Sequence, residues 1–560
     1  HCMNLCDYII DTLYLNGIDT YFIVTGGSIV PFIDAISKNT KVKYYCFQHE
    51  QSAAMAAEGY YRGCGKIAGV CVTSGPGVQN ILNGVCGCWY DSIPAFFITG
   101  QVNTVQTLSN FKSKPRQVGF QEMPVAKMFQ DVTKKSVYLS HVTHVESTLA
   151  ELLTSLNTPR YGPVLLDLPV NLQMSSVIDT KPFTLELKPF NTSIYDISGF
   201  LKECKRPLIV FGHGVILSSA SQSAINFVER YNIPFVVSWG AIDICETNHK
   251  LRVGTIGVYG DRHANYAIQN ADLVIVVGSR LDSRQIGGKP DIFSVHSKKI
   301  MIDIDENEID KLIEMGINID LKIIDDVDNF FTCVRSDIHT DYSNWLNIIS
   351  TWKNKYGIEK ARDDDPIVYD VLAKFFASLP DECIIISDIG SNMVWTMQCA
   401  QLSKTQKLFT NGGNASMGFA LPAAIGASIG SNKPVYVIAG DGGFQMNIQE
   451  LLTVKKYNLP IEITILNNSG YGIVKQFQDI YFNSNHTATS KSDVFGNTVD
   501  FAKIAEVYGV KTLQDISIPE TQKIYPKLEF GNSLENMSPY IEFEEDMIVE
   551  VPPKKMVGWN

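Results

Sequence analysis

Two stretches of the 560-residue sequence carry residue types and spacings that suit chemistry. In the first, "PVYVIAGDGGFQMNIQELLTVKKYNLPIEITILNNSGYG" (residues 434–472), "VYVIA" reads as a strand and "GDGG" (Gly440, Asp441, Gly442, Gly443) as a tight turn. "MNIQELLTVKKYN" then reads as a helix. A glycine-rich turn at the carboxyl end of a strand lets backbone N–H groups close on a phosphate, helped by the following helix N-terminus. Such turns are common, but Asp441 adds a hard oxygen ligand, and Asn468 follows 27 positions later, beside Asn467 and after the strand "ITIL". An Asp and an Asn at the carboxyl ends of two strands can converge on one ion. Oxygen-only ligation suits magnesium or calcium carried by a diphosphate. The plain alternative is that Asp441 caps a helix and the asparagines form a turn.

The second stretch is "YYCFQHEQSAAMAAEGYYRG", residues 44–63, where Glu50 stands at the mouth of a helix otherwise rich in Ala, Met and Tyr. Taken alone, a glutamate in a first helical turn is a partner for the helix dipole. Ala53, Ala54, Ala56 and Ala57 predict tight packing behind it.

The elements that position these groups follow from the pattern of apolar runs. Strand-like runs alternate with helix-like segments, the pattern of parallel sheets covered by helices. "KIAGVCVTS", "GPG", "VQNILNGVCGCWYDS" and "IPAFFITG" form a βαβ unit. The segment 179–192 loses periodicity and carries two prolines, a linker signal. A second run extends from "RPLIVFGHGV" to "KIMIDIDENEIDK", and the polar "KARDDDP" (360–366) precedes a third that starts with "CIIISDIG". The expected fold is α/β, three doubly wound parallel-sheet domains at 1–178, 192–345 and 362–535, with a tail at 536–560.

Composition narrows the function. Hydrophobic residues make up 45% of the chain and charged residues 19%, enough for large cores. A net charge of −12 without a basic run argues against nucleic acid or an anionic membrane as partner. The longest apolar runs are strand-sized and too short to span a bilayer. "HCMNLCDYIIDTLYLNG" lacks a basic leader or apolar signal core. The twelve scattered cysteines, without a paired C-x-x-C, read as free thiols in a reducing cytoplasm rather than zinc ligands.

G-D-G followed by about 27 residues and N-N resembles the thiamine diphosphate (ThDP) binding motif. The resemblance implies Mg²⁺ held by Asp441, Asn468 and the backbone oxygen of Gly470, with Gly440, Gly442, Gly443, Asn468 and Ile473 around the cofactor. "QHEQSAAMAAEGYYR" is similar to the segment carrying that family's glutamate, which gives Glu50 a role. In the family, this carboxyl hydrogen-bonds N1′ of the aminopyrimidine and favours the tautomer whose nitrogen removes the thiazolium C2 proton. Desolvation would strengthen such a bond. "TNGGNASMGFALPAAIG" (410–426) resembles the segment that receives the aminopyrimidine. Met417 would wedge the cofactor into a bent shape, and the Ala415 carbonyl would accept from the 4′-amino group, making that group a positioned base.

The resemblance covers nearly the whole chain, in the order pyrimidine, middle and diphosphate domain, and is closest to the acetolactate synthase branch. "SGPGVQN", "TGQV", "GFQEMPV", "GSRLDSR" and "IDID" carry it. It implies that Phe120 and Gln121 line the substrate side, that the substrates are a small 2-oxoacid and a carbonyl acceptor, and that the chain assembles as a homodimer or homotetramer. No adjacent His pair occurs, which favours carboligation over the aldehyde release of simple decarboxylases. An ordinary acetolactate synthase, or a 2-oxoacid decarboxylase or oxidase of the same superfamily, is the alternative.

Several residues depart from the branch. Phe477 replaces the Trp of valine/isoleucine-pathway enzymes, Gln48 replaces an arginine, and the loop 103–117 is long and carries Lys112, Lys114 and Arg116. The tail also resembles carboligases of sugar and surface-polysaccharide pathways, including the yersiniose type, which suggests a nucleotide-linked keto-sugar as acceptor. In the middle domain, "VGTIGVYG" and Arg280 and Arg284 of "GSRLDSR" resemble FAD-contact segments. His213 stands where a glycine is expected, so the resemblance leaves FAD open, in a structural rather than redox role.

Overall fold

Apolar runs bounded by turn residues become central strands of parallel sheets, buried on both faces. A computed structural model describes residues 2–187, 193–287, 290–335, 338–356, 366–497 and 499–518. The tail 536–560 and most of the polar stretch 360–366 lie outside the described residues, as does part of the linker 179–192.

The first sheet comprises β1 (Thr20–Val24), β2 (Lys43–Cys46), β3 (Gly69–Val72), β4 (Phe96–Gln101), β5 (Lys135–Tyr138) and β6 (Val164–Pro169). Their order is β2-β1-β3-β4-β6-β5, every pair parallel. The middle sheet comprises β7 (Pro207–Phe211), β8 (Phe235–Val237), β9 (Arg252–Thr255), β10 (Leu273–Val277), β11 (Lys298–Asp303) and β12 (Leu321–Ile324). Its order, β9-β8-β7-β10-β11-β12, is that of dinucleotide-binding folds. The third contains β13 (Ile384–Ser387), β14 (Lys407–Phe409), β15 (Val435–Gly440), β16 (Ile461–Asn467) and β17 (Leu513–Ser517). They run β14-β13-β15-β16-β17, the other common doubly wound order. Each sheet therefore has a topological switch point: β1/β3, β7/β10 and β13/β15. Ligands bind doubly wound sheets beyond the carboxyl ends of the strands at such points.

The first and third domains meet helix to helix. Helix α1 (Glu50–Cys64) starts where His49 turns extended and its Nδ1 accepts from Gln51 N. Ala53, Ala54, Ala56 and Ala57 are fully buried. The partner helix Ala420–Ser431 approaches so closely that a Cβ on Gly59 would lie 2.0 Å from the Ala423 carbonyl oxygen, and one on Gly426 only 1.9 Å from that of Ala56. Small residues on both helices thus join two domains into one core, which also takes in Val437, Ile463 and Ile465 of the third sheet.

Two elements differ from the sequence expectation. The middle domain includes β12 within the expected bounds, and the helix Ser343–Tyr356 crosses the expected end at 345; its buried Trp345 donates Nε1 to the Pro207 carbonyl at 2.9 Å. "GDGG" is not a turn preceding a helix, because the helix begins at Asp441 itself and runs to Met446. Asn447, at φ −130° and ψ 29°, ends it. The Asn447 side chain spans the domains, donating to the Gly418 carbonyl at 2.8 Å and accepting from Ser52 Oγ at 3.2 Å.

Candidate active site

Asp441 opens helix Asp441–Met446 directly after β15 and is buried. Its carboxylate accepts from Gly442 N at 2.8 Å and Gly470 N at 3.0 Å. Burial pushes its pKa up to about 6 against those N–H groups. The side-chain amide of Asn468, just past β16, lies 3.3 Å from Asp441 Oδ1 and 2.8 Å from the Gly470 carbonyl oxygen. One orientation of that amide donates to both. The other places Asn468 Oδ1, Asp441 Oδ1 and the Gly470 oxygen together with no donor between them, a set that a hard divalent cation satisfies. Asn467 turns away to donate to Asp515 at 3.0 Å. Gly470 adopts φ +155°, and a Cβ there would lie 2.4 Å from the Thr489 carbonyl oxygen, so glycine is required.

Around this cluster Gly442 lies under the Tyr471 ring, and a Cβ on it would sit 3.2 Å from Met417 Cε. Gly440 precedes the helix in extended conformation. Gly443 packs on Asp388, a fully buried acid at the end of β13. Asp388 accepts from Gly418 N at 3.0 Å and Ala420 N at 2.9 Å, fixing the chain beside Met417. Ala415 is held at φ +53°, a left-handed conformation costly for a residue with a Cβ. Ile473 and Phe477 lie half-buried on the helix Gly472–Tyr481, where the Phe477 ring stacks 4.8 Å from that of Tyr481.

Glu50 belongs to a second group, in the first domain. Its half-buried carboxylate accepts from Asn80 Nδ2 at 2.9 Å and lies 3.6 Å from where a Cβ on Gly77 would be. Gln121, at φ +63°, packs on Gly75 of the same turn, and Phe120 is 85% exposed. Glu50, Gln121 and the Gly75–Gly77 turn thus share one crevice, whereas the partners of Asp441 all lie in the third domain. Between the groups, Gln48 N and His49 N both donate to Glu450 at 3.1 Å. The loop carrying Lys112, Lys114 and Arg116 is exposed, and among the described residues no carboxylate lies within ion-pair reach of these cations. Its ends are pinned by Glu122, which accepts from Leu108 N, Val118 N and Gly119 N.

The middle sheet opens into a crevice at β7/β10. His213, Gly214, Gly240, Gly278, Arg280 and Arg284 line it, with Arg160 and the acids Asp303 and Asp326 across from them. Gly240 makes room for His213, since a Cβ there would lie 2.7 Å from His213 Cβ. Burial, with Arg62, Arg280 and Arg160 nearby, holds the His213 pKa far below its ordinary value, so the ring is neutral.

Comparison with known proteins agrees with this geometry. Three family models match in order: thiamine pyrophosphate enzyme N-terminal TPP binding domain at 3–128, central domain at 194–333 and C-terminal TPP binding domain at 388–531. The chain belongs to the thiamine pyrophosphate enzymes. It is 31% identical to a probable acetolactate synthase large subunit of Methanococcus aeolicus, covering 91% of this chain and 87% of that protein. It is 30% identical to the acetolactate synthase isozyme 2 large subunit of Escherichia coli, covering 91% and 90%. Against the acetolactate synthase large subunit of Lactococcus lactis it is 29% identical over 97% and 91%. It is thus an acetolactate synthase-like, ThDP-dependent enzyme.

In this ThDP enzyme, sequence reasoning missed Asp388, Asn447 and Glu450, which hold the segments carrying Met417 and Glu50. Asp388 had a signal, since it ends the strand "IIIS" just as Asp441 ends "VYVIA". Asn447 and Glu450 had none.

Proposed function

We propose that the chain decarboxylates pyruvate, or a similar 2-oxoacid, and joins the two-carbon acyl unit to a carbonyl acceptor. The convergence of Asp441, Asn468 and the Gly470 carbonyl at the third switch point supports it most directly. Those oxygens fit Mg²⁺, and the N-terminus of helix Asp441–Met446 offers N–H groups to a diphosphate. ThDP, when bound, would supply a thiazolium that serves as the electron sink for decarboxylation. Glu50 would hold a proton at the aminopyrimidine N1′, the Ala415 carbonyl would accept from the 4′-amino group, and Met417, beside Gly442, would support the bound cofactor. Phe120 and Gln121 shield the substrate side.

By resemblance to the family, the reading pairs the first domain of one subunit with the third domain of another, in a homodimer or homotetramer, in addition to the packing of the two domains within one chain. An active monomer in light scattering at assay concentration would break it. In the middle crevice, Arg280 and Arg284 would meet a dinucleotide's diphosphate, whereas Arg160 is already paired with Asp305 at 3.1 Å and Glu308 at 2.8 Å. The reading gives FAD a structural role there, with His213 in place of the expected glycine, and a flavin absorption band in the purified protein tests it. All twelve cysteines are free, which suits a cytoplasmic enzyme, and among the described residues no helix is long and apolar enough to cross a membrane.

The proposed acceptor is a nucleotide-linked keto-sugar. The exposed cations Lys112, Lys114 and Arg116 favour an anionic partner, and Phe477 leaves more room than an indole. Kinetics with pyruvate alone and with added nucleotide-linked 4-keto-6-deoxy sugars decide the matter. The expected result is faster pyruvate consumption and a two-carbon-extended sugar. If no such sugar has an effect and pyruvate self-condenses rapidly, the second reading holds: an ordinary acetolactate synthase, as its relatives are.

A further inference from the structure

The turn 410–416 and the middle crevice share a wall that the chemistry above leaves without a task. Arg62, in the last turn of α1, donates Nη1 to the Thr410 carbonyl at 2.7 Å and Nη2 to Asp91 at 3.1 Å. Its Nε lies 3.3 Å from Glu58. Asp91 follows the helix Pro76–Tyr90, and its two carboxylate oxygens accept from Gly412 N at 2.9 Å and Gly413 N at 2.8 Å. Buried Glu58 accepts from Asn411 at 3.0 Å, and Asn411 in turn accepts from Ser416 N at 3.3 Å. Ala415, whose carbonyl the proposed function uses, sits inside this mesh.

The same groups face the other way as well. Arg62, Asp91, Thr410 and Gly412 line the middle crevice beside His213 and Arg280. The His213 ring lies beside the Asp91 backbone, and a Cβ on Gly413 would lie 3.2 Å from Arg280 Nη2. Arg62 and Asp91 are each only 8% exposed, so the node is a desolvated, charge-assisted set with little slack. A molecule packed into the crevice presses on the same side chains that fix the turn.

We propose that Asp91, held by Arg62, is a positioning residue through which a nucleotide in the middle crevice tightens the turn that receives the aminopyrimidine end of ThDP. The inference rests on the proposed reading of those two sites. The test uses full-length protein freed of cofactors, titrated calorimetrically with ThDP and Mg²⁺ with and without saturating FAD. FAD should lower the ThDP Kd by about 5-fold or more, and ThDP should lower the FAD Kd by the same factor, as linkage requires. In Asp91→Asn both should still bind, with the mutual effect reduced to less than about 2-fold. Should that variant not fold, Arg62→Lys, which loses the forked geometry, makes the same comparison. If FAD and ThDP bind the wild type independently, the coupling is wrong while both sites stand. If FAD does not bind at all, the crevice reading and the coupling fall together.

Discussion

At the switch point of the third sheet the strand ends carry Asp388, Asp441 and, one strand over, Asn468; at that of the middle sheet they carry His213, Gly278 and Arg280. Topology puts a crevice in the same place in both, and the side chains give the two opposite signs. The third crevice concentrates oxygen atoms, with Asp388 and Asp441 each 1% exposed, and the proposed function gives them a cation. In the middle crevice acids such as Asp303 and Glu308 share the lining and Glu308 pairs with Arg160, but among the described residues Arg280 and Arg284 make no ion pair and are the cations left for an anion. Fold alone says where ligands sit; the charge at the strand ends says which.

The largest expected effect separates holding the cofactor from running its chemistry. Glu50→Gln keeps shape but not the proton, so turnover and thiazolium C2–H exchange should fall by roughly 10²–10⁴-fold. Binding of ThDP, held by the third crevice, should stay within about threefold, since the amide keeps the side-chain contacts. Near-normal exchange and turnover would show that another carboxylate does the work. Next comes Asp441→Ala, which removes the charged oxygen from the cation's proposed set. ThDP affinity measured with Mg²⁺ should drop by about 100-fold, with any flavin band retained. Unchanged affinity by calorimetry would end the metal assignment and with it the contrast in sign.

The two crevices were unequally legible in the sequence. Asp441, Asn468 and Gly470 lie within one strand-helix-strand unit, so strand ends and spacing brought them together on paper. The middle crevice gave partial signals, the arginines of "GSRLDSR" among them. Its wall with the third domain gave none, because Arg62 meets Thr410 across 348 positions and Asp91 meets Gly413 across 322. No periodicity encodes such contacts; they follow from how whole domains dock. The helix start at Asp441 was misread for a related reason. "GDGG" has a turn composition, but the Tyr471 ring over Gly442 and Asp388 against Gly443 favour glycines within a helical turn.

A third buried acid sharpens the contrast by lying away from any switch point. Asp167, on β6, accepts from Thr99 Oγ1 at 2.8 Å and Gln101 Nε2 at 3.0 Å. Burial pushes its pKa from 3.8 up to about 7, and those two neutral donors pull it back only in part. A folded-state pKa above the unfolded one means that the native chain binds the extra proton. Its contribution to stability is therefore full below about pH 4 and is lost as pH rises through about 7. Asp167→Asn should flatten that part of the pH–stability curve, read by denaturant unfolding between pH 5 and 8, by at most about 1.4 kcal/mol per pH unit. An identical slope in the variant would show that Asp167 is ionised in the native protein.

The smallest effect concerns the cations that stand outside both crevices. Arg160, Arg280 and Arg284 line an enclosed site, whereas Lys112, Lys114 and Arg116 project from an exposed loop pinned at its ends by Glu122. Solvent screens exposed charge, so each loop cation contributes only about 0.2–1 kcal/mol to an anionic acceptor, and less as salt rises. Replacing all three by alanine should raise the KM for a nucleotide-linked acceptor several-fold at low ionic strength, by about twofold or less at 0.5 M salt, and leave the pyruvate KM unchanged. A loop that merely covers the site would instead shift both KM values together and without salt dependence. That outcome would remove the loop from the proposed anion-binding surfaces of the chain and leave Arg280 and Arg284 of the middle crevice.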